Sequence, residues 1–115
     1  MTGALDFMVR PVAARLGADD VIANVLGEAA GPGGGPAVFT GELVGPAVAD
    51  GEKRVRVLAW CRERGVDPAA CHAFGDSFGD LAMLESVGVP HAVTPDRRLR
   101  AIAEERGWAV LPWRG

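Results

Sequence analysis

A chain of 115 residues with a formal charge of −3, 49% hydrophobic and 23% charged residues, has the composition of one modest globular domain. That charge balance excludes binding nucleic acid through a basic surface that neutralises phosphates. No apolar run approaches the roughly 20 residues that span a bilayer, and the first residues lack a basic region followed by a hydrophobic leader. A cytoplasmic protein with no membrane partner is expected. Cys61 and Cys71 form no C-x-x-C pair, so buried free thiols are expected rather than a disulfide framework or a zinc site.

From Leu5, apolar residues recur at helical spacing (Met8, Val9, Val12, Ala13, Leu16), and Gly17 follows as a left-handed stop. Thr2 before this helix has two readings: an N-cap, or a hydroxyl that joins nearby backbone N–H groups on a phosphate. Residues 21–26 are β-branched and apolar and residues 38–44 form a second such run, so the spacing predicts a β-hairpin. Its tip, residues 31–36, is rich in glycine and proline. No Walker-type phosphate loop matches there, and Pro32 and Pro36 lack the N–H groups such a loop needs, which favours a flexible connector.

Asp50 and Gly51 introduce a helix predicted over residues 52–64, with Gly65 as its stop. Lys53 falls in the first turn, the unfavourable end of the helix dipole for a cation unless an anion faces it. After Asp67-Pro68, a short strand at residues 71–74 is expected to hold His72 as a core histidine. It breaks into Gly75-Asp76-Ser77-Phe78-Gly79-Asp80 and then a helix to about residue 87. Asp76 and Asp80 thus lie at the carboxyl end of a strand, where open α/β sheets bind ligands, and paired carboxylates there suit a hard divalent cation. An acid at such a turn is also an ordinary helix cap.

Residues 89–93 read as another strand. Thr94-Pro95 reads as a helix start with threonine as cap, Leu99, Ile102 and Ala103 as that helix's inner face, and Gly107 as its stop. A last strand is predicted at residues 108–111, with Trp113 packing near it. Alternation of strand and helix from residue 66 onward implies right-handed crossovers and a parallel sheet covered on both faces.

Thr2 opening one helix, Lys53 opening a later one, and Gly75-Asp76-Ser77-Phe78-Gly79-Asp80 after a strand closely resemble the second, third and fourth motifs of haloacid dehalogenase-like (HAD) phosphatases, the phosphoserine-phosphatase-like subgroup above all. The stretch Phe39-Thr40-Gly41-Glu42-Leu43-Val44-Gly45 before the lysine, and Thr94-Pro95-Asp96 with Arg106-Gly107-Trp108 near the end, support the likeness. It implies an α/β fold with a Rossmannoid parallel sheet and a β-hairpin excursion. It also implies a Mg2+-dependent hydrolase of small-molecule phosphomonoesters that works through an aspartyl-phosphate, a covalent route that divides one hard displacement into two. By the resemblance, Asp76 and Asp80 would hold the metal or its shell, with Asp80 alternatively orienting the lysine. Lys53 would neutralise charge on the nucleophile and phosphoryl group, and Thr2 with Gly3 would bind phosphate. In a phosphoacceptor receiver domain the acids precede the threonine and lysine, whereas here they follow them.

The Asp-x-Asp motif that supplies the nucleophile in this family does not occur among these residues, and the cap segment that follows it is missing too. Asp6, Asp19 and Asp20 lack that spacing. Gly79 also stands where relatives often carry a small polar residue. The resemblance therefore implies an N-terminally truncated, partial HAD core over residues 1–115, with negligible turnover by itself. A strand 71–74 left without its family neighbour is expected to leave the isolated chain marginally folded, aggregating, self-associating or recruiting a complementing N-terminal fragment, because unpaired buried backbone groups cost about 1–3 kcal/mol each. A noncatalytic phosphate- or Mg2+-binding remnant is the alternative.

Overall fold

The computed structural model describes residues 1–112; Trp113, to which a packing role was assigned above, lies outside them. The chain forms two compact units, Met1–Val48 and Ala49–Gly115.

In the first unit, helix α1 (Asp6–Leu16) ends at Gly17 in the left-handed conformation the sequence predicts. Its N-cap is Leu5 with no side-chain cap bond, so Thr2 does not cap it. The Thr2 hydroxyl instead accepts from the Ala4 N–H at 3.1 Å. The hairpin is present, but its first strand is β1 (Leu26–Ala29), paired antiparallel with β2 (Val38–Leu43). Of the residues before β1, Val25 still belongs to the hairpin, its carbonyl accepting from the Val44 N–H at 2.7 Å, while those around Ile22 and Asn24 serve elsewhere. The Thr2 N–H donates to the Ile22 carbonyl, the Asn24 N–H to Ala4 and the Asp6 N–H to Asn24, a parallel bridge that seats the entrance of α1. Asn24 completes that seat with its side chain: Nδ2 donates to the Gly3 carbonyl, and Oδ1 accepts from the Val48 N–H, both at 2.7 Å. Pro32–Gly34 in the connector forms a 3-10 turn.

The second unit holds α2 (Gly51–Arg64), β3 (His72–Gly75), α3 (Leu81–Glu85), β4 (Val89–Val93), α4 (Arg97–Arg106) and β5 (Ala109–Leu111). The three strands form a parallel sheet in the order β3-β4-β5. Glycines 65 and 107 stop α2 and α4 in the left-handed region, as their positions predict. Leu84, Leu99, Ala92 and Ala103 are fully buried with Met83, and Ala73, Val57, Trp108 and Val110 pack against them.

Four expectations are corrected by the structure. Among the described residues only one face of this sheet is covered: Phe74 is 58% exposed, and Val89 and Leu111 are exposed on the same face. His72 shares that open face because side chains alternate along a strand, and so it is exposed, its Nδ1 2.9 Å from Nε2 of His91. Thr94 is no helix cap; it sits at φ 38°, and Asp96 caps α4 by accepting from the Leu99 N–H. Of the two thiols, Cys61 is buried, while Cys71 is only half-buried. Among the described residues no helix is long and apolar enough to cross a membrane.

Candidate active site

β3 delivers the acidic loop to the carboxyl edge of the sheet, and α2 brings Lys53 to it. The Lys53 ammonium donates to Oδ1 of Asp80 at 2.5 Å, between side chains that are 17% and 9% exposed. This is the anion that a lysine in a first helical turn requires. The other oxygen of Asp80, Oδ2, accepts from the Asp76 N–H at 3.1 Å and from both the N–H and the hydroxyl of Ser77 at 3.3 Å. Asp80 is therefore both a loop-locking acid and the orienter of the lysine, and the helix-start reading and the site reading describe the same residue. Burial pushes its carboxyl up, but the Lys53 ammonium and the Ser77 and Asp76 amides outweigh that and hold it below the ordinary carboxylate range.

A pH dependence follows. With a lower value folded than unfolded, Asp80 contributes stability that is fully present above the unfolded value of about 3.9 and lost as pH falls through the folded one. In metal-free buffer, Lys53→Met should be less stable than wild type by roughly 2 kcal/mol at neutral pH. It should also lose less on acidification from pH 5 to pH 2, as urea unfolding at the two values would report. Equal acid sensitivity of the two proteins would show that the pair carries no such linkage.

Asp76 stands differently. Its backbone is tied, but among the described residues no donor meets its carboxylate. The residue is exposed and lines an open groove of about 490 Å³ with Phe74, Gly75, Val93 and Thr94. The described residues gather no cluster of three or more His, Cys, Asp or Glu. This donor set does not suit a zinc cage. It suits Mg2+, which keeps several waters and takes one or two carboxylates together with substrate oxygens. Thr2 and Gly3 belong to the first unit. There the Thr2 hydroxyl, as an acceptor from Ala4, keeps its own proton to donate.

Two contributors to the site are not legible from motif spacing. A Cβ at Gly75 would lie 2.7 Å from Cβ of Asp80 and 2.9 Å from its Oδ2, so the strand end must be glycine for Asp80 to fold back over it. Asp50, the residue before α2, has φ 45° and ψ −123° and places Oδ1 3.2 Å from where a Gly79 Cβ would stand. A non-glycine residue in that conformation was the available signal, but it is a signal of coordinates, not of sequence.

Comparison with known proteins shows the family. A protein named for inhibition of morphological differentiation, from Streptomyces azureus, is 44% identical over 110 residues, covering 90% of this chain and 35% of that protein. A phosphoserine phosphatase from Mycobacterium tuberculosis H37Rv is 35% identical over 103 residues, covering 90% of this chain and 32% of its own length. The chain thus spans about a third of these curated relatives. A crystal structure of a protein of unknown function from Bordetella pertussis Tohama I superposes with a TM-score of 0.77 at 31% identity, over 93% of this chain and 47% of that one. The profile of the haloacid dehalogenase-like hydrolases matches residues 1–85, and the chain belongs to that family.

Proposed function

We propose that this chain carries the Mg2+- and phosphate-binding half of a phosphoserine-phosphatase-like phosphomonoester hydrolase. One observation carries the reading: Lys53 is locked on Asp80 while the Asp76 carboxylate, four residues earlier in the same loop, is left open at the end of β3. Phosphoryl transfer asks little of a protein beyond alignment and the neutralisation of spread negative charge.

Within this proposal, Asp76 holds Mg2+ directly or through water, and Asp80 supports the metal's surroundings chiefly by fixing the loop. Bound Mg2+ would supply positive charge to a phosphoryl oxygen. Lys53 sets an ammonium at the same place, kept in position by Asp80, and neutralises the nucleophile and the phosphate. Thr2 and Gly3 offer a hydroxyl and an amide to phosphate oxygens. A cytoplasmic location and a complementing segment that supplies the nucleophilic aspartate belong to the same proposal. The exposed Phe74 on β3, which pairs only with β4 among the described residues, is compatible with such a segment.

The test is a Mg2+ titration followed through the backbone amide resonances of residues 75–80. Wild type should show saturable shifts there, and Asp76→Ala should weaken binding by roughly 100-fold, the upper range for losing a metal-site group. Shifts that are absent in wild type, or unchanged in the variant, would refute the assignment.

A further inference from the structure

We propose that Asp96, at the start of α4, is a positioning residue that joins Asp80 in clamping the Asp76–Asp80 loop and so presents the Asp76 carboxylate to a cation. This rests on the reading of Asp76 as a metal-binding group. The Asp96 N–H donates to the Asp76 carbonyl at 2.8 Å, and its Oδ2 accepts from the Phe78 N–H at 2.8 Å. Oδ1 accepts from the Leu99 N–H at 2.9 Å. The Arg98 guanidinium stacks 3.6 Å over the Phe78 ring, a second tie between the same two segments.

A helix cap needs only one of these contacts. Aspartate at an N-cap accepts from an N–H two or three residues ahead in its own helix, which the Leu99 bond satisfies. The bond to Phe78 reaches 18 residues back to another element. Together the two acids cover consecutive amides of the loop: Asp80 takes those of Asp76 and Ser77, and Asp96 takes that of Phe78. A loop so held has little freedom left to lose when a cation binds, which is the usual means by which groups around a metal site raise its affinity.

Serine separates the two roles. It caps a helix about as well as aspartate does, but its single short hydroxyl cannot also reach Phe78. For Asp96→Ser we expect unchanged amide resonances in β4 and β5, hydrogen exchange at Phe78 at least tenfold faster without metal, and Mg2+ affinity about tenfold weaker. Asp96→Asn, which keeps one acceptor, should fall between the two and serves if the serine variant does not fold. Wild-type Mg2+ affinity in these variants, whether Phe78 exchange is altered or not, would overturn the proposal while leaving Asp76 as the metal group. If wild type itself shows no Mg2+ response, the metal reading fails, and the positioning role falls with it.

Discussion

Gly75→Ala is expected to disrupt the site more thoroughly than removal of any side chain within it. The added methyl would stand 2.7 Å from Cβ, 3.0 Å from Cγ and 2.9 Å from Oδ2 of Asp80, closer than carbon atoms approach without displacement. Asp80 is nearly buried, so it has no free direction to yield into. Moving it breaks the bond to Lys53 and frees the amides of Asp76 and Ser77 together. Each unsatisfied buried group costs about 1–3 kcal/mol, and these are coupled through one carboxylate, so a loss on the order of 3 kcal/mol is expected. Urea unfolding measures the loss. The amide shifts of residues 76–80 should collapse toward unordered values even where the β4 and β5 resonances persist. A variant as stable as wild type, with the Lys53–Asp80 pair intact by NMR, would show that the close approach does not constrain the site.

Turnover of a generic aryl phosphate by the 115-residue chain with Mg2+ is expected to be indistinguishable from buffer with Mg2+. An ammonium and a cation can stabilise charge on a phosphoryl group, yet a covalent route also needs an attacking carboxylate. Of the acids outside the loop, Asp6 is paired with Arg10 on α1 at 3.4 Å. Electrostatic groups without their nucleophile retain only a small residue of catalysis, commonly lower by about 10⁴-fold or more. Robust turnover that vanished in Asp76→Ala would overturn this expectation and would mean that the chain supplies a nucleophile of its own.

Much of the second unit was legible because its local signals agree with its tertiary packing. Glycines 65 and 107 end their helices, strand β4 spans Val89–Val93 as its apolar run implies, and strand-helix alternation yields a parallel sheet. The misreadings have separate causes, and in the first of them long-range contacts override local preference. Residues 21–24 look like part of a hairpin, but Asn24 fastens to Gly3 and Val48, and bonding across the hairpin starts only at Val25, whose carbonyl accepts from the Val44 N–H. Thr94-Pro95 has the letters of a helix start, but the positive φ of Thr94 delays the helix to Arg97 and gives the cap to Asp96. His72 reads as core from its apolar neighbours, but the alternation of β3 turns it to the open face with Phe74.

For the site the division is similar. Lys53, Asp76 and Asp80 were legible as residue types at telling places, at a helix start and a strand end. Their division of labour was not, because it depends on which oxygen of Asp80 faces the lysine and which faces the loop amides. The contribution of Gly75 was hidden as well, since a glycine after a strand signals a turn and gives no hint of the carboxylate lying over it.

Coupling between Mg2+ and inorganic phosphate tests the central claim most directly, because two ligands that share one site must alter each other's affinity by the same factor. Calorimetric titration of Mg2+ with and without saturating phosphate, and the reverse titration, should give equal enhancement in both directions, on the order of 5–100-fold. The enhancement should be absent in Asp76→Ala and reduced in Lys53→Met. Mg2+ and phosphate that bind wild type independently, or do not bind it, would contradict the account.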